Sequence, residues 1–158
     1  MRLVTRAREL IVVDILEENI EKCRGRLASY PDVEFYCNDG TSLEPILDES
    51  VSLIYCFDAM VHFDSDVVRS YMREFERVLR PGGHAFCHHS NYSDRPTGDF
   101  RQSPGARNFM SRELFEHYAH KERLRVVKAK PIHWEHQDSD CLTLLEKPEV
   151  SENYADTI

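Results

Sequence analysis

Leu10-Ile11-Val12-Val13-Asp14-Ile15 is the stretch on which the fold turns. It is short, rich in β-branched residues, and apolar at successive positions. Such a run reads as a strand covered on both faces, the mark of a parallel sheet. The pattern returns at Val51-Ser52-Leu53-Ile54-Tyr55-Cys56-Phe57, and in shorter form at Val33–Cys37 and His84–His89. Helical periods fall between these runs. Residues 17–29 place Ile20, Cys23 and Leu27 on one stripe, with Glu17 and Glu18 in the first turn, where the helix dipole favours acids. Residues 65–79 keep apolar positions at 68, 71, 72, 75, 78 and 79, a 3.6-residue period. Pro31-Asp32 breaks the first helix, and Arg80-Pro81-Gly82-Gly83 stops the second. Upstream, Leu3, Ala7 and Leu10 share a helical face, so residues 2–9 are expected to end a helix.

Downstream of His89 the chain turns polar over residues 90–110, with Pro96, Gly98, Pro104 and Gly105. A loop of this length in a compact domain is functional or disordered. Ser111 is placed to cap a helix running to about His120, with Glu113 in its first turn. Arg125–Ala129 and Cys141–Leu145 read as two closing strands, joined by Lys130 to Asp140 and paired antiparallel. Strands alternating with helices predict an α/β sheet with right-handed crossovers. One domain is expected over residues 1–147, followed by a loose polar tail over 148–158.

The 158 residues suit one domain, and 41% hydrophobic with 30% charged residues suits a globular one. Twenty Lys and Arg against 28 Asp and Glu give a net charge of −8, which argues against a nucleic-acid binder tracking phosphates with a basic face. No apolar run approaches the ~18 residues of a membrane helix. No apolar signal core follows the basic start Met1-Arg2-Leu3-Val4-Thr5-Arg6, so a cytoplasmic protein without membrane partners is expected. Cys23, Cys37, Cys56, Cys87 and Cys141 contain no CxxC pair and read as free thiols in a reducing compartment.

Ligands of such sheets sit beyond the carboxyl ends of the strands. Asp14 ends the first strand; its carboxylate can accept both hydroxyls of a ribose, or cap the next helix. Asn38-Asp39-Gly40 ends the second; Asp39 can accept from an exocyclic amine with Gly40 letting backbone approach, or the three can form a plain turn. Phe57-Asp58-Ala59-Met60-Val61-His62-Phe63 puts an acid and an imidazole at the third strand's mouth, where His62 is a base near neutral pH or packs on the following helix. His84, His88 and His89 alternate faces on a strand and do not converge, so no metal site is expected. G-x-S-x-G and G-x-x-x-x-G-K-[ST] are both absent.

Taken together, the residues from about Val12 to Lys147 resemble the class I S-adenosylmethionine-dependent methyltransferases. Arg77-Val78-Leu79-Arg80-Pro81-Gly82-Gly83, similar to the family's helix-to-strand signature, is the most specific match. The resemblance implies a Rossmann-like doubly wound sheet, mostly parallel with an antiparallel C-terminal strand. It implies that Asp14 binds ribose, that Ile15 packs on adenine, that Asn38, Asp39 and Gly40 form the adenine corner with Asp39 on the amine, and that Phe57 also borders the cofactor. His62 would be the general base, with His89 and Asp58 in reserve. Asn91, Tyr92, Arg107 and Asn108 would shape the acceptor side under the long loop. Ser52 stands where the family usually has an acid. The family's first strand and glycine-rich loop should precede Asp14 by about 20 residues. Only 13 residues precede Asp14 and none is glycine. The first strand is therefore expected to be missing between the Asp14 and Val51 strands, leaving two edges that pair with each other, take a strand from a second chain or oligomer mate, or mark a fragment.

The implied reaction is in-line transfer of a sulfonium methyl to a small-molecule acceptor, O-methylation favoured, leaving S-adenosylhomocysteine. The alternative is a degenerate methyltransferase-like domain that serves as an interaction module. A dinucleotide-dependent oxidoreductase shares the ribose acid but lacks the Asn-Asp-Gly and Arg-Pro-Gly-Gly pair.

Overall fold

The structure is a computed structural model and describes residues 5–97, 99–134 and 136–149. The chain divides into two compact units, Met1–Pro45 and Ile46–Ile158.

In the first unit, β1 (Leu10–Asp14) pairs in parallel with β2 (Val33–Cys37), Asp14 opposite Cys37. The crossover between them is α1 (Glu17–Arg26), with Ile20 buried. It stops at Leu27, whose N–H reaches the Cys23 carbonyl, a few residues short of the expected end. The helix expected over residues 2–9 is not found: residues 5–9 form turns and bends rather than α-helix, and residues 1–4 lie outside the described residues. Leu10, counted on that helical face, is the first residue of β1.

The second unit holds β3 (Val51–Cys56), α2 (Ser65–Val78), β4 (Leu79–Ser90), α3 (Arg112–Lys121), β5 (Arg125–Ile132) and β6 (Asp140–Glu146). The sheet order is β3-β4-β6-β5. β3 and β4 are parallel, and β6 lies antiparallel to both its neighbours, as the closing strands were expected to do. Among the described residues β1 and β3 fall in separate sheets, so of the three alternatives the one in which these strands pair with each other is not met. Among the described residues, β1 pairs only with β2 and β3 only with β4.

Val68, Met72, Phe75 and Val78 of α2 are buried, as the period required. Asp64 caps α2 by accepting from the Asp66 N–H, and the Ser111 hydroxyl caps α3 by accepting from Leu114 at 3.1 Å. Each such cap satisfies a donor with no intrahelical partner. Arg80-Pro81-Gly82-Gly83 does more than stop α2. It is a bulge inside β4, because Val51 faces Leu79 while Leu53 already faces His84. Gly82 sits at φ 74°, and its N–H meets the Lys147 carbonyl at 2.8 Å. A Cβ on Gly83 would stand 2.8 Å from the Arg80 carbonyl oxygen and 3.2 Å from that of Val51. Both obstacles are backbone, so only glycine fits. Residues 150–158 of the expected tail lie outside the described residues.

Candidate active site

Each unit carries its own group of chemistry-bearing residues at strand carboxyl ends.

In the first unit, the Asp14 carboxylate accepts from the Leu16 N–H at 2.8 Å and from the Asn19 amide at 3.2 Å on both oxygens. Three contacts leave acceptor capacity on a group with about four lone-pair positions. Across the strand end, Asp39 accepts from the N–H groups of Thr41 and Ser42, each at 2.8 Å. These backbone donors hold its carboxyl below the ordinary value. Asp14 thus closes a turn onto Leu16 just ahead of α1 rather than capping the helix, and Asp39 organises a turn, as its alternative reading expected. Gly40 sits at φ 83°, and a Cβ there would lie 2.7 Å from Ile15 Cδ1. Ile15 thus occupies the space over Gly40 and exposes 58% of its surface. The strand end thus brings together two carboxylates and an exposed apolar side chain packed on the Gly40 backbone.

In the second unit, β3 runs into Phe57, Asp58 and a short 3-10 turn, Met60–His62. His62 Nδ1 lies 2.8 Å from the Ala106 carbonyl oxygen. A carbonyl only accepts, so Nδ1 carries the hydrogen and Nε2 keeps the lone pair, the tautomer a general base needs. The long loop is pinned to this turn: Asn108 N–H donates to the Val61 carbonyl at 3.0 Å, and its side-chain amide to the His62 carbonyl at 3.3 Å. Ser90 at the end of β4 donates its hydroxyl to the Asn108 carbonyl at 2.7 Å. The segment is therefore ordered by its own polar groups, and Tyr92 and Phe109 form an isolated bridge within it. A cleft of about 320 Å³ opens beyond β4, lined by Asn91, Tyr92, Asp94, His136, Gln137 and Ser139 among others. That is the low end of small-molecule site volumes.

Under the mouth of β3 lies a buried polar chain. The His88 Nε2–H donates to Asp140 Oδ2 at 2.7 Å, and His88 Nδ1 accepts from the Asp58 N–H at 3.2 Å. Arg107 forks onto Asp140 through Nε at 2.9 Å and a terminal nitrogen at 2.7 Å, and also holds the Gly105 carbonyl. Burial pushes the Asp140 carboxyl up, but Arg107 and His88 outweigh it and hold the group below the ordinary value. His88 and Asp140 are completely buried, and Arg107 is 5% exposed.

Two expectations change here. Arg107 does not face an acceptor; it is a buried support of the loop. His89 is no reserve base. It points to the opposite side of the sheet from His88, fully buried, stacked 3.6 Å from the Phe115 ring and hydrogen-bonded to Thr143. Asn91 keeps its place in the cleft, although its amide also reaches the Asp138 carbonyl and accepts from the Arg112 N–H. Asp58 stays at the mouth, half exposed at its side chain. Sequence reading missed the linkage of His88 and Asp140. The only available signal was an acid opening the last strand.

Burial lowers the His89 pKa to about 4. The folded value lies below the ordinary 6.5, so the unfolded chain binds more protons between these values, and stability falls as pH drops from about 6.5 to 4. The expected loss approaches about 3 kcal/mol. Urea midpoints at pH 7 and 4.5 check it: His89→Gln should flatten the difference, and an unchanged difference would remove His89 as its source.

Comparison with known proteins decides the family. A family model described as a methyltransferase domain matches residues 1–83, more than half of the chain. The chain belongs to this methyltransferase family. Its α/β fold is the Rossmann-like one of the similar solved chains. Similar solved folds include a Pyrococcus horikoshii protein, 21% identical, with TM-score 0.70, covering 92% of this chain and 74% of that one. An S-adenosylmethionine-dependent methyltransferase from Clostridium acetobutylicum is 15% identical with TM-score 0.71, over 92% and 78% of the two chains. The N-methyltransferase NodS of Bradyrhizobium japonicum, solved with S-adenosylhomocysteine, is 18% identical with TM-score 0.65, over 90% and 68%. No curated protein matches this methyltransferase-family chain in sequence. Among the described residues, no helix is long and apolar enough to cross a membrane.

Proposed function

We propose that this methyltransferase-family chain moves a methyl group from S-adenosylmethionine to a hydroxyl of a small-molecule acceptor. The observation that carries the reading is the His62 tautomer: Nδ1–H held by the Ala106 carbonyl, Nε2 left basic. When bound, S-adenosylmethionine supplies an activated methyl on a sulfonium, so the protein's work is alignment and removal of one proton. Asp14 and Asn19 offer the ribose end, and Ile15, Asn38, Asp39 and Gly40 the base end. His62 takes the hydroxyl proton through Nε2, with Asp58 as reserve. The polar cleft of Asn91, Tyr92 and Ser139 takes the rest of the acceptor; its volume and lining favour a small hydroxylated molecule over a polymer. Among the described residues β1 and β3 are each paired along one edge only, which supports completion by a strand from a second copy or another chain.

The test of the donor half is a thermal shift of the 158-residue chain. S-adenosylmethionine and S-adenosylhomocysteine at about 100 times their dissociation constants should each stabilise it by roughly 2.7 kcal/mol, or about 5–10 °C. Asp14→Ala should abolish both shifts. No shift with millimolar ligand on a cooperatively melting chain rejects the enzyme and leaves the interaction-module reading.

A further inference from the structure

We propose that Phe57, Trp134 and Asp58 form a recognition site for a small organic cation, so that the acceptor carries an ammonium group; this rests on the methyl-acceptor reading above. Phe57, expected beside the cofactor, is thereby assigned to the acceptor.

Three aromatic rings meet at the mouth of β3. Phe57 lies 4.7 Å from the His88 ring centroid, Trp134 lies 5.3 Å from it, and Phe57 and Trp134 meet edge-on at 6.1 Å. Phe57 is 41% exposed and Trp134 45% exposed, although both are large and apolar. Tyr55 extends the group, 6.3 Å from Phe57 and 53% exposed. Exposed ring clusters of this kind mark binding surfaces.

The support beneath the rings is a costly one. His88, Asp140 and Arg107 are a desolvated polar chain where apolar residues would pack as well. What the chain achieves is position. It fixes the His88 ring on which Phe57 and Trp134 rest, and it holds the Asp58 N–H. Asp58 sits at φ 57°, an uncommon conformation for a non-glycine residue.

Charge then selects the ligand. The Arg107 fork is spent on Asp140, and Asp58 meets it only at 4.0 Å. With His88 neutral in the tautomer its contacts require, one arginine faces two carboxylates, and Asp58 is the surplus acid. A carboxylate on the residue next to Phe57, tied by its N–H to the His88 ring on which both exposed rings rest, offers a cation two attractions, the charge and the ring quadrupoles.

Trp134 is the only tryptophan, so its emission reports on this site alone. The experiment titrates the whole chain with choline and with 3,3-dimethylbutan-1-ol, its uncharged carbon isostere. Choline should change Trp134 emission with a dissociation constant about tenfold lower than the alcohol. Asp58→Asn keeps a residue that tolerates the positive φ and should bring the two ligands within about twofold. Phe57→Leu should weaken choline by a similar factor. Equal binding of both ligands, no response to choline, or unchanged selectivity in Asp58→Asn overturns the proposal. So does emission that depends on protein concentration before any ligand is added, which would make the patch a self-interface. Donor binding without choline selectivity rejects this inference alone. Choline selectivity without donor binding supports the cation site and rejects the methyl-transfer reading.

Discussion

Asp140→Ala is expected to destabilise the chain by about 3–5 kcal/mol, because it leaves a buried charge without its partner. Two donors lose their acceptor at once: the Arg107 fork and the His88 Nε2–H. Neither group has water to turn to, since His88 is fully buried and Arg107 is 5% exposed. For a domain of this size the loss corresponds to roughly 6–20 °C in melting temperature. Changing Arg107 and Asp140 together to Met and Leu should cost less, since an apolar pair removes the desolvation penalty with the ions and leaves only the His88 Nε2–H without an acceptor. Urea or thermal midpoints of the three proteins decide it. A single-variant loss below about 1 kcal/mol would mean that the chain from Arg107 to Asp58 carries little coupling.

His62→Gln is expected to lower the rate of acceptor methylation by about 10²–10⁴ while leaving the shift with S-adenosylhomocysteine unchanged. Glutamine can still donate an N–H to the Ala106 carbonyl, so the pinning of the loop survives. What it lacks is a basic nitrogen. The measurement is transfer of labelled methyl from S-adenosylmethionine to whichever member of an amino-alcohol panel gives signal with the parent chain. A rate within about threefold of the parent would take the base role from His62. Loss of donor binding in the same variant would show a structural defect instead.

The strands and the family were legible because their signals are local. Leu10–Asp14 and Val51–Cys56 are mostly apolar runs broken only by Asp14 and Ser52, and Arg80-Pro81-Gly82-Gly83 punctuates α2 within a few residues. The place of His62 at the mouth of β3 was legible for the same reason, since only five residues separate it from the end of that strand. Over residues 5–9 the expected helix gave way where two patterns overlapped: Leu10 fits the helical face of Leu3 and Ala7, yet it opens a strand. The chain of Arg107, Asp140 and His88 was not legible, because it exists only through register. Asp140 faces Ser90 and Leu142 faces His88 across an antiparallel pair whose partners are some fifty residues apart. His89 was misjudged although alternation along a strand allows only one of two adjacent residues to face a given side. Which one faced the mouth was settled by Phe115, whose ring covers His89.

Among the described residues β3 is paired along one edge only, and this has a consequence for the protein in the tube. Val51–Cys56 is six residues with no charge and no proline, and Leu53 and Tyr55 expose about half their surface. Edge strands of that composition template copies of themselves, stacking into ladders that outlast the native state. Losses on storage are then expected to come from seeded growth and to rise with protein concentration. A single lysine at Ser52, exposed on that strand, is the gatekeeper that would slow the seed while leaving the apolar contacts of the core in place.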